Sequence, residues 1–393
     1  MKRLVGWVSG LFLLLLLWSG QPVVRAQSDA FISTAVVEYA QNIAFTLHGE
    51  MAAPIEQVDL FIQAAQVERP FTVEAIRVNQ TGGQLEAAVD IDPTVAELPP
   101  FAQVRFWWEL QTSGGDTIIV PEETFFYEDN RFTWRELAIG DVTIHWTGND
   151  AELGQVAAEI VTDSRQLLDD ILPQTAVSPL NVYIYPAAGD LRTGLRLAGR
   201  DWQDGHADPD LGVLLVTAVN PLTAANDLSQ SIPHELTHLR LYQLAASNED
   251  ADVPLWYEEG MALLAANLTA GDELVATAVA NQQTLPLLNL CLGALADDNT
   301  IELAQAQSVS LLRYIQAQFG DQALRQLGAA YLAGASCEAG LTQTLEMSSA
   351  ELNVEWLAAE SPTPAWRTFL NQNGLWLLLV LASFCFLALL LRR

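Results

Sequence analysis

Basic residues are scarce in this chain. Lys2 is its only lysine, and 18 Lys and Arg stand against 48 Asp and Glu, for a formal net charge of −30. So acidic a chain repels phosphate backbones and anionic lipid headgroups, which excludes nucleic acid as a partner and favours solubility. Cysteine is sparse too, at three. Cys385 falls in an apolar run, leaving Cys291 and Cys337 as a pair that an oxidising compartment permits to bridge. Their spacing alone does not decide whether they do. There are only five histidines, and no internal repeat.

What is present begins with two apolar ends. Lys2 and Arg3 precede an apolar run from Leu11 to Trp18, and Val24-Arg25-Ala26 offers small residues around a cleavage point. That order predicts a signal peptide over 1–26. Leu375 to Leu391 is a run of 17 residues without a charge, closed by Arg392 and Arg393. Such a run lies at the short edge of what spans a bilayer, about 17–25 residues. Trp376 suits the interface and the arginines the cytoplasmic side. The expectation is a single-pass protein of the cell membrane, held by a transmembrane helix over 375–391, with its ectodomain outside the cytoplasm. Ser361-Pro362-Thr363-Pro364 opens a linker over 361–374.

Between the ends the hydrophobic pattern changes once. Over 27–130 it alternates: Ile43, Phe45 and Leu47 are apolar between Ala44, Thr46 and His48, and Val104, Phe106, Trp108 and Leu110 repeat the period. Ser113-Gly114-Gly115-Asp116 turns the chain into Ile118-Ile119-Val120, which reads as a hairpin. Strands without helices predict a β-sandwich of immunoglobulin-like type. His48 and His145, in strand-rich stretches, read as structural. From 131 to 360 the pattern is mixed. Val142, Ile144 and Trp146 mark a strand, and 151–172 a helix with Leu153, Val156, Ile160, Leu167 and Ile171 on its buried side. Asn181–Tyr185 and Leu211–Thr217 are further strands, and helices run from about Ser231 to residue 359. The fold class expected is α+β.

His234-Glu235-Leu236-Thr237-His238 is where chemistry announces itself. Histidines four apart on a helix emerge on one face, one turn apart, the spacing at which two imidazoles hold one metal ion. Ser231 and Pro233 read as helix-start residues just ahead of them. Zinc lowers the pKa of a water it holds towards ~7, and a carboxylate such as Glu235 can then take its proton during attack on a carbonyl carbon. A catalytic zinc also wants a third protein ligand. Downstream stands Trp256-Tyr257-Glu258-Glu259-Gly260-Met261-Ala262 at a second helix start, with Asp252 and Pro254 in its first turn.

Trp-x-x-Glu-Gly-x-Ala after His-Glu-x-x-His resembles the third-ligand helix of gluzincin metallopeptidases, particularly the aminopeptidase-N-like and peptidase MA-like families. The resemblance covers about 131–359. It implies a zincin, thermolysin-like domain and Zn2+ held by His234, His238 and Glu259, with Glu235 as general base. Residues 239–258 lie between His238 and Glu259, an interval of 20, close to the one common in that group. Glu258 is the rival ligand. The resemblance further implies a peptide or protein substrate paired with an edge strand, Leu211–Thr217. In the peptidase MA-like pattern a tyrosine that donates to the developing oxyanion often stands where this chain has Gln305, which leaves the donor unassigned among Tyr314, Tyr242 and His206. No Gly-x-Met-Glu-Asn-like segment is present, so an endopeptidase fits better than an aminopeptidase. The alternative is a surface binding or adhesion protein on a non-catalytic zincin scaffold.

Overall fold

A computed structural model describes residues 23–25, 30–174, 179–195, 205–269, 271–293 and 298–361. Two compact units divide the chain, one running to Thr133 and taking in 194–196, the other starting at Trp134. The first holds β1 (Val23–Arg25), β2 (Phe31–Glu38), β3 (Asn42–Glu50), β4 (Ile55–Ala64), β5 (Phe71–Glu74), β6 (Arg77–Thr81), β7 (Gln84–Ile91), β8 (Gln103–Thr112), β9 (Thr117–Ile119) and β10 (Glu123–Phe126). One sheet runs β2-β3-β7-β6, and the other β1-β9-β8-β4-β5 with β10 also on β8. All their pairings are antiparallel except β1 with β9.

The period-2 pattern decides which faces meet. Ile43, Phe45 and Leu47 of β3 are buried, as are Val104, Phe106, Trp108 and Leu110 of β8. Phe45 meets Phe106 edge-on with ring centroids 5.0 Å apart, and Trp108 Nε1 donates to Ser33 Oγ at 2.9 Å. The hairpin read from Ser113–Asp116 joins β8 to β9, with Gly115 at φ 87° in the turn. Val23–Arg25, at the expected signal-peptide cleavage point, pair with Thr117–Ile119. The rest of 1–26 lies outside the described residues.

The second unit starts with a hairpin, β11 (Arg135–Ile139) and β12 (Val142–Trp146), followed by α1 (Glu152–Ile171), β13 (Leu180–Tyr185), α2 (Ala188–Leu195), β14 (Gly205–Asp208) and β15 (Val213–Thr217). Helices follow: α3 (Ala224–Ala245), α4 (Leu255–Ala265), α5 (Asp272–Asn281), α6 (Leu287–Cys291), α7 (Asp298–Phe319), α8 (Asp321–Leu332), α9 (Cys337–Leu345) and α10 (Ser349–Glu360). The sheet order is β11-β12-β13-β15-β14. β12, β13 and β15 are parallel, while β11 and β14 close the two edges antiparallel. α1 makes the crossover from β12 to β13, the connection that a parallel pair requires.

Several expectations are corrected here. The architecture is mixed α/β with several antiparallel sheets, not the α+β class expected from an immunoglobulin-like sandwich, a thermolysin-like domain and a C-terminal transmembrane helix. Strand, helix and strand in the order β12, α1, β13 already spell a parallel unit. The transmembrane helix over 375–391, and with it anchoring as a single-pass protein of the cell membrane, is not supported. No helix among the described residues is long and apolar enough to cross a membrane, and 375–391 lie outside them. The two longest helices among the described residues, α3 and α7 at 22 residues each, carry Asp227, Glu235, Arg240, Glu302 and Arg313. Each charge at mid-bilayer costs about 2.5–3.5 kcal/mol on insertion scales.

Smaller differences bear on the site. β15 is not an edge strand, because β14, unrecognised in the sequence, pairs along its outer side. α1 buries Gly154, Ala157, Ala158, Val161, Ser164, Leu168 and Ile171, whereas Leu167 is exposed. The buried face is therefore turned from the one the large aliphatics suggested. Small residues win it because the helix packs close: a Cβ on Gly154 would sit 2.5 Å from the Trp146 ring. α3 begins at Ala224, two turns before Ser231, and carries Pro233 inside it.

Candidate active site

α3 brings His234, Glu235 and His238 together, held from behind by Arg240. That buried guanidinium donates to Pro173 O at 3.0 Å and to Asp169 Oδ1 at 2.7 Å, fastening α3 to the end of α1. α4 is fixed by its aromatic pair. Trp256 Nε1 donates to Cys337 Sγ at 3.1 Å, and the Tyr257 hydroxyl to Leu324 O at 2.8 Å. Cys337 is bonded to Cys291, so the question left open by spacing is answered by a disulfide joining α6 to α9. Gly260 lets α4 approach α7: a Cβ there would lie 2.7 Å from Leu312 Cδ1 and 3.0 Å from Ser308 O. The acids just before it thus face α3 on one side and α7 on the other.

The two acids take different places. Glu258 Oε1 lies 2.9 Å from His238 Nδ1, on the far side of the ring from His234. Glu259 Oε1 lies 3.8 Å from His238 Nε2, and that Nε2 is 3.2 Å from His234 Nε2. One ligand atom from each of His234, His238 and Glu259 lies within 4.8 Å of the others. Donors on a tetrahedral zinc with bonds of ~2.0–2.1 Å sit about 3.3 Å apart, and the 3.2 and 3.8 Å separations from His238 Nε2 lie near that spacing. Glu258 also accepts a hydrogen bond from Tyr242, one turn beyond His238 on α3. With Nδ1–H donated to Glu258, His238 presents a lone pair at Nε2, the tautomer that a metal needs.

Burial and neighbouring charge pull these groups apart electrostatically. Burial, helped by the adjacent His238, pushes His234 down to about 3, so it is neutral at working pH. Burial would lower His238 as well, but the hydrogen bond to Glu258 and the carboxylates of Glu259 and Glu235 together raise it. Burial lifts Glu235 to about 7; His238 opposes this and Glu259 adds to it. Partial burial would raise Glu258 too, yet hydrogen bonds from His238 and Tyr242 hold it below the usual carboxylate range.

A cavity of about 760 Å3 opens over these side chains, walled by β14, Thr217, Val219, Leu255 and Leu268. Of the three candidate oxyanion donors, Tyr242 and His206 line it. Tyr314 donates instead to Glu355 Oε2 at 3.1 Å. Gln305, on α7, reaches the cavity with its amide bonded to Glu259 Oε2 at 3.1 Å. Sequence reasoning missed Gly205, where a Cβ would stand 2.3 Å from Glu235 Oε1. A glycine inside a strand signals close approach of another group, but the strand itself had gone unrecognised. His48 and His145 lie outside the cavity lining.

Strand, crossover and helix pair thus present two imidazoles and a carboxylate to one point beside a buried acid, the arrangement of a metallopeptidase. The family model of the Peptidase MA superfamily matches residues 164–360, half of the chain. The chain belongs to that superfamily, and its second unit is a peptidase-like scaffold. No curated protein matches it. Solved structures align over limited spans. OgpA from Akkermansia muciniphila aligns at 13% identity over 28% of this chain and 29% of that one, with a TM-score of 0.21. BC0361, a polysaccharide deacetylase from Bacillus cereus, aligns at 10% identity over 45% and 58%, also at 0.21. Purple acid phosphatase PPD1 from yellow lupin aligns at 11% over 48% and 35%, again at 0.21.

Proposed function

We infer that the protein is a zinc-dependent peptidase, in which His234, His238 and Glu259 hold the ion and Glu235 is the general base. The observation that carries this reading is the convergence of three donor atoms within 4.8 Å, next to a carboxyl lifted to about 7 by burial. A base with that pKa is matched to proton transfer near neutral pH. Zinc, when bound, supplies a Lewis acid and lowers the pKa of water towards ~7. The residues of the chain do the rest. Glu235 takes a proton from the attacking water as its oxygen bonds to the scissile carbonyl carbon. As the C–N bond breaks, the same carboxyl returns the proton to the leaving nitrogen.

The substrate is a peptide or protein segment in extended form, running along the side of β14 that no described strand pairs. Such a segment would add a strand to the sheet, and Gly205 and His206 on β14 both line the cavity. The open cavity and the absence of an amine-binding acidic segment in the sequence favour cleavage within a chain over removal of its first residue.

The test is the full chain with zinc against its Glu235→Gln variant, on a panel of unstructured protein substrates. Hydrolysis is expected in the unaltered protein and lost by 10^3-fold or more in the variant, a magnitude in keeping with loss of a general base. Equal cleavage by both proteins, each holding about one zinc per chain, would reject the mechanism.

A further inference from the structure

We propose that Gln305 is a positioning residue for the metal site: it captures one oxygen of Glu259 and leaves the other to the ion. This rests on the zinc reading above and goes beyond it, since nothing in the two sequence motifs involves α7.

The geometry is specific. Gln305 Nε2 donates to Glu259 Oε2 at 3.1 Å, while Glu259 Oε1 is the oxygen turned towards His238 Nε2, at 3.8 Å. An ionised carboxylate only accepts hydrogen bonds, so the side-chain amide must present its nitrogen there. A carboxylate with both oxygens free can swing between one-oxygen and two-oxygen contact with a cation. An amide fixed on Oε2 removes the second option and holds the plane of the carboxylate. Outer partners of this kind orient a ligand, and their loss commonly costs 10–100-fold in metal affinity.

The surroundings make the contact rigid on both sides. Gly260 follows Glu259 directly and allows α4 to close on Ser308 and Leu312 of α7, one turn and two turns beyond Gln305. Gln307, two residues along, is fully buried; its side chain accepts from Leu285 N at 2.8 Å and donates to Leu285 O at 3.0 Å. α7 is therefore locked in rotation where it carries Gln305. His238 is held by Glu258 in the same manner, so two of the three donors are oriented by side chains that are not donors themselves. The position read from the sequence as that of an oxyanion donor is in this chain occupied by an amide serving Glu259.

Zinc affinity of the full chain, measured by competition with a chromophoric chelator, tests this with two variants. Gln305→Leu keeps bulk without a donor. Gln305→Glu keeps the shape, but near pH 8 offers a second negative charge in place of the amide. Both are expected to bind zinc 10–100-fold more weakly than the unaltered protein, while melting within a few degrees of it in the metal-free form. Affinities within twofold of the unaltered protein would overturn the proposal and leave the zinc reading standing. Failure of the unaltered protein itself to bind zinc would overturn both.

Discussion

Glu258 Oε1 and His238 Nδ1 are 2.9 Å apart, so of two adjacent glutamates one stands behind a histidine and the other faces the point where the donors converge. On a helix neighbouring residues diverge by about 100°, which is why a Glu-Glu pair can serve two shells at once. Replacing Glu258 by Gln keeps the size but allows the amide to accept or donate, so the tautomer of His238 is no longer fixed. Zinc affinity is expected to fall by about 10-fold or more. Isothermal titration against a competing chelator would show it, and unchanged affinity would mean that Glu258 has no orienting role.

Gly205 offers a different separation of effects. A methyl group at that position would meet Glu235 Oε1 at 2.3 Å and its Cδ at 2.8 Å. Gly205→Ala should displace Glu235, the proposed base, without touching the proposed zinc donors His234, His238 and Glu259. Peptide hydrolysis is expected to fall by about 100-fold, the order of effect that a 1 Å misplacement can produce, with zinc content unchanged. Metal analysis and initial rates on the same preparation check this, and loss of zinc in parallel would refute it.

The Cys291–Cys337 bond closes a loop of sequence separation 46 and lies against Trp256, three residues before Glu259. The chain-entropy account gives about 4 kcal/mol for a loop of that length. Cys291→Ser with Cys337→Ser should therefore unfold at clearly lower denaturant concentration. An unchanged midpoint would show that the cross-link adds nothing to the folded state.

Zinc itself should stabilise the fold, since the donors come from α3 and α4, which meet only when the unit is folded. At a free concentration 1,000 times the dissociation constant the gain is about 4 kcal/mol. Thermal scans with and without zinc should separate by several degrees, and the separation should vanish in His238→Ala. No shift in the unaltered protein would speak against a formed site.

How much of this was legible beforehand depends on the range of the interaction. His234 and His238 are one helical turn apart, so their convergence is written locally. Their relation to Glu259 is not, since it depends on Trp256, Tyr257 and Gly260 seating α4 against α7–α9. The buried face of α1 misled because large aliphatics mark a core only where there is room. Gly154, Ala157 and Ala158 took it because Trp146 fills the space. Pro233 read as a helix start, yet α3 runs through it, with Thr237 Oγ1 donating to Pro233 O at 2.7 Å. β14 was invisible because four residues containing a glycine and two polar side chains carry no periodicity worth the name.

The brevity of β14 limits what the cleft can grip. Its four residues at ~3.3 Å each run about 13 Å, and no other described strand pairs with their outer side. A polypeptide laid along it gains alignment from a few main-chain hydrogen bonds, but little tenacity. On the proposed peptidase reading, selectivity would then come from side chains meeting the cavity walls at Val219, Leu255 and Leu268. A short rail also guards the protein against its own kind, since two such edges meeting in solution would exchange too few bonds to stay together.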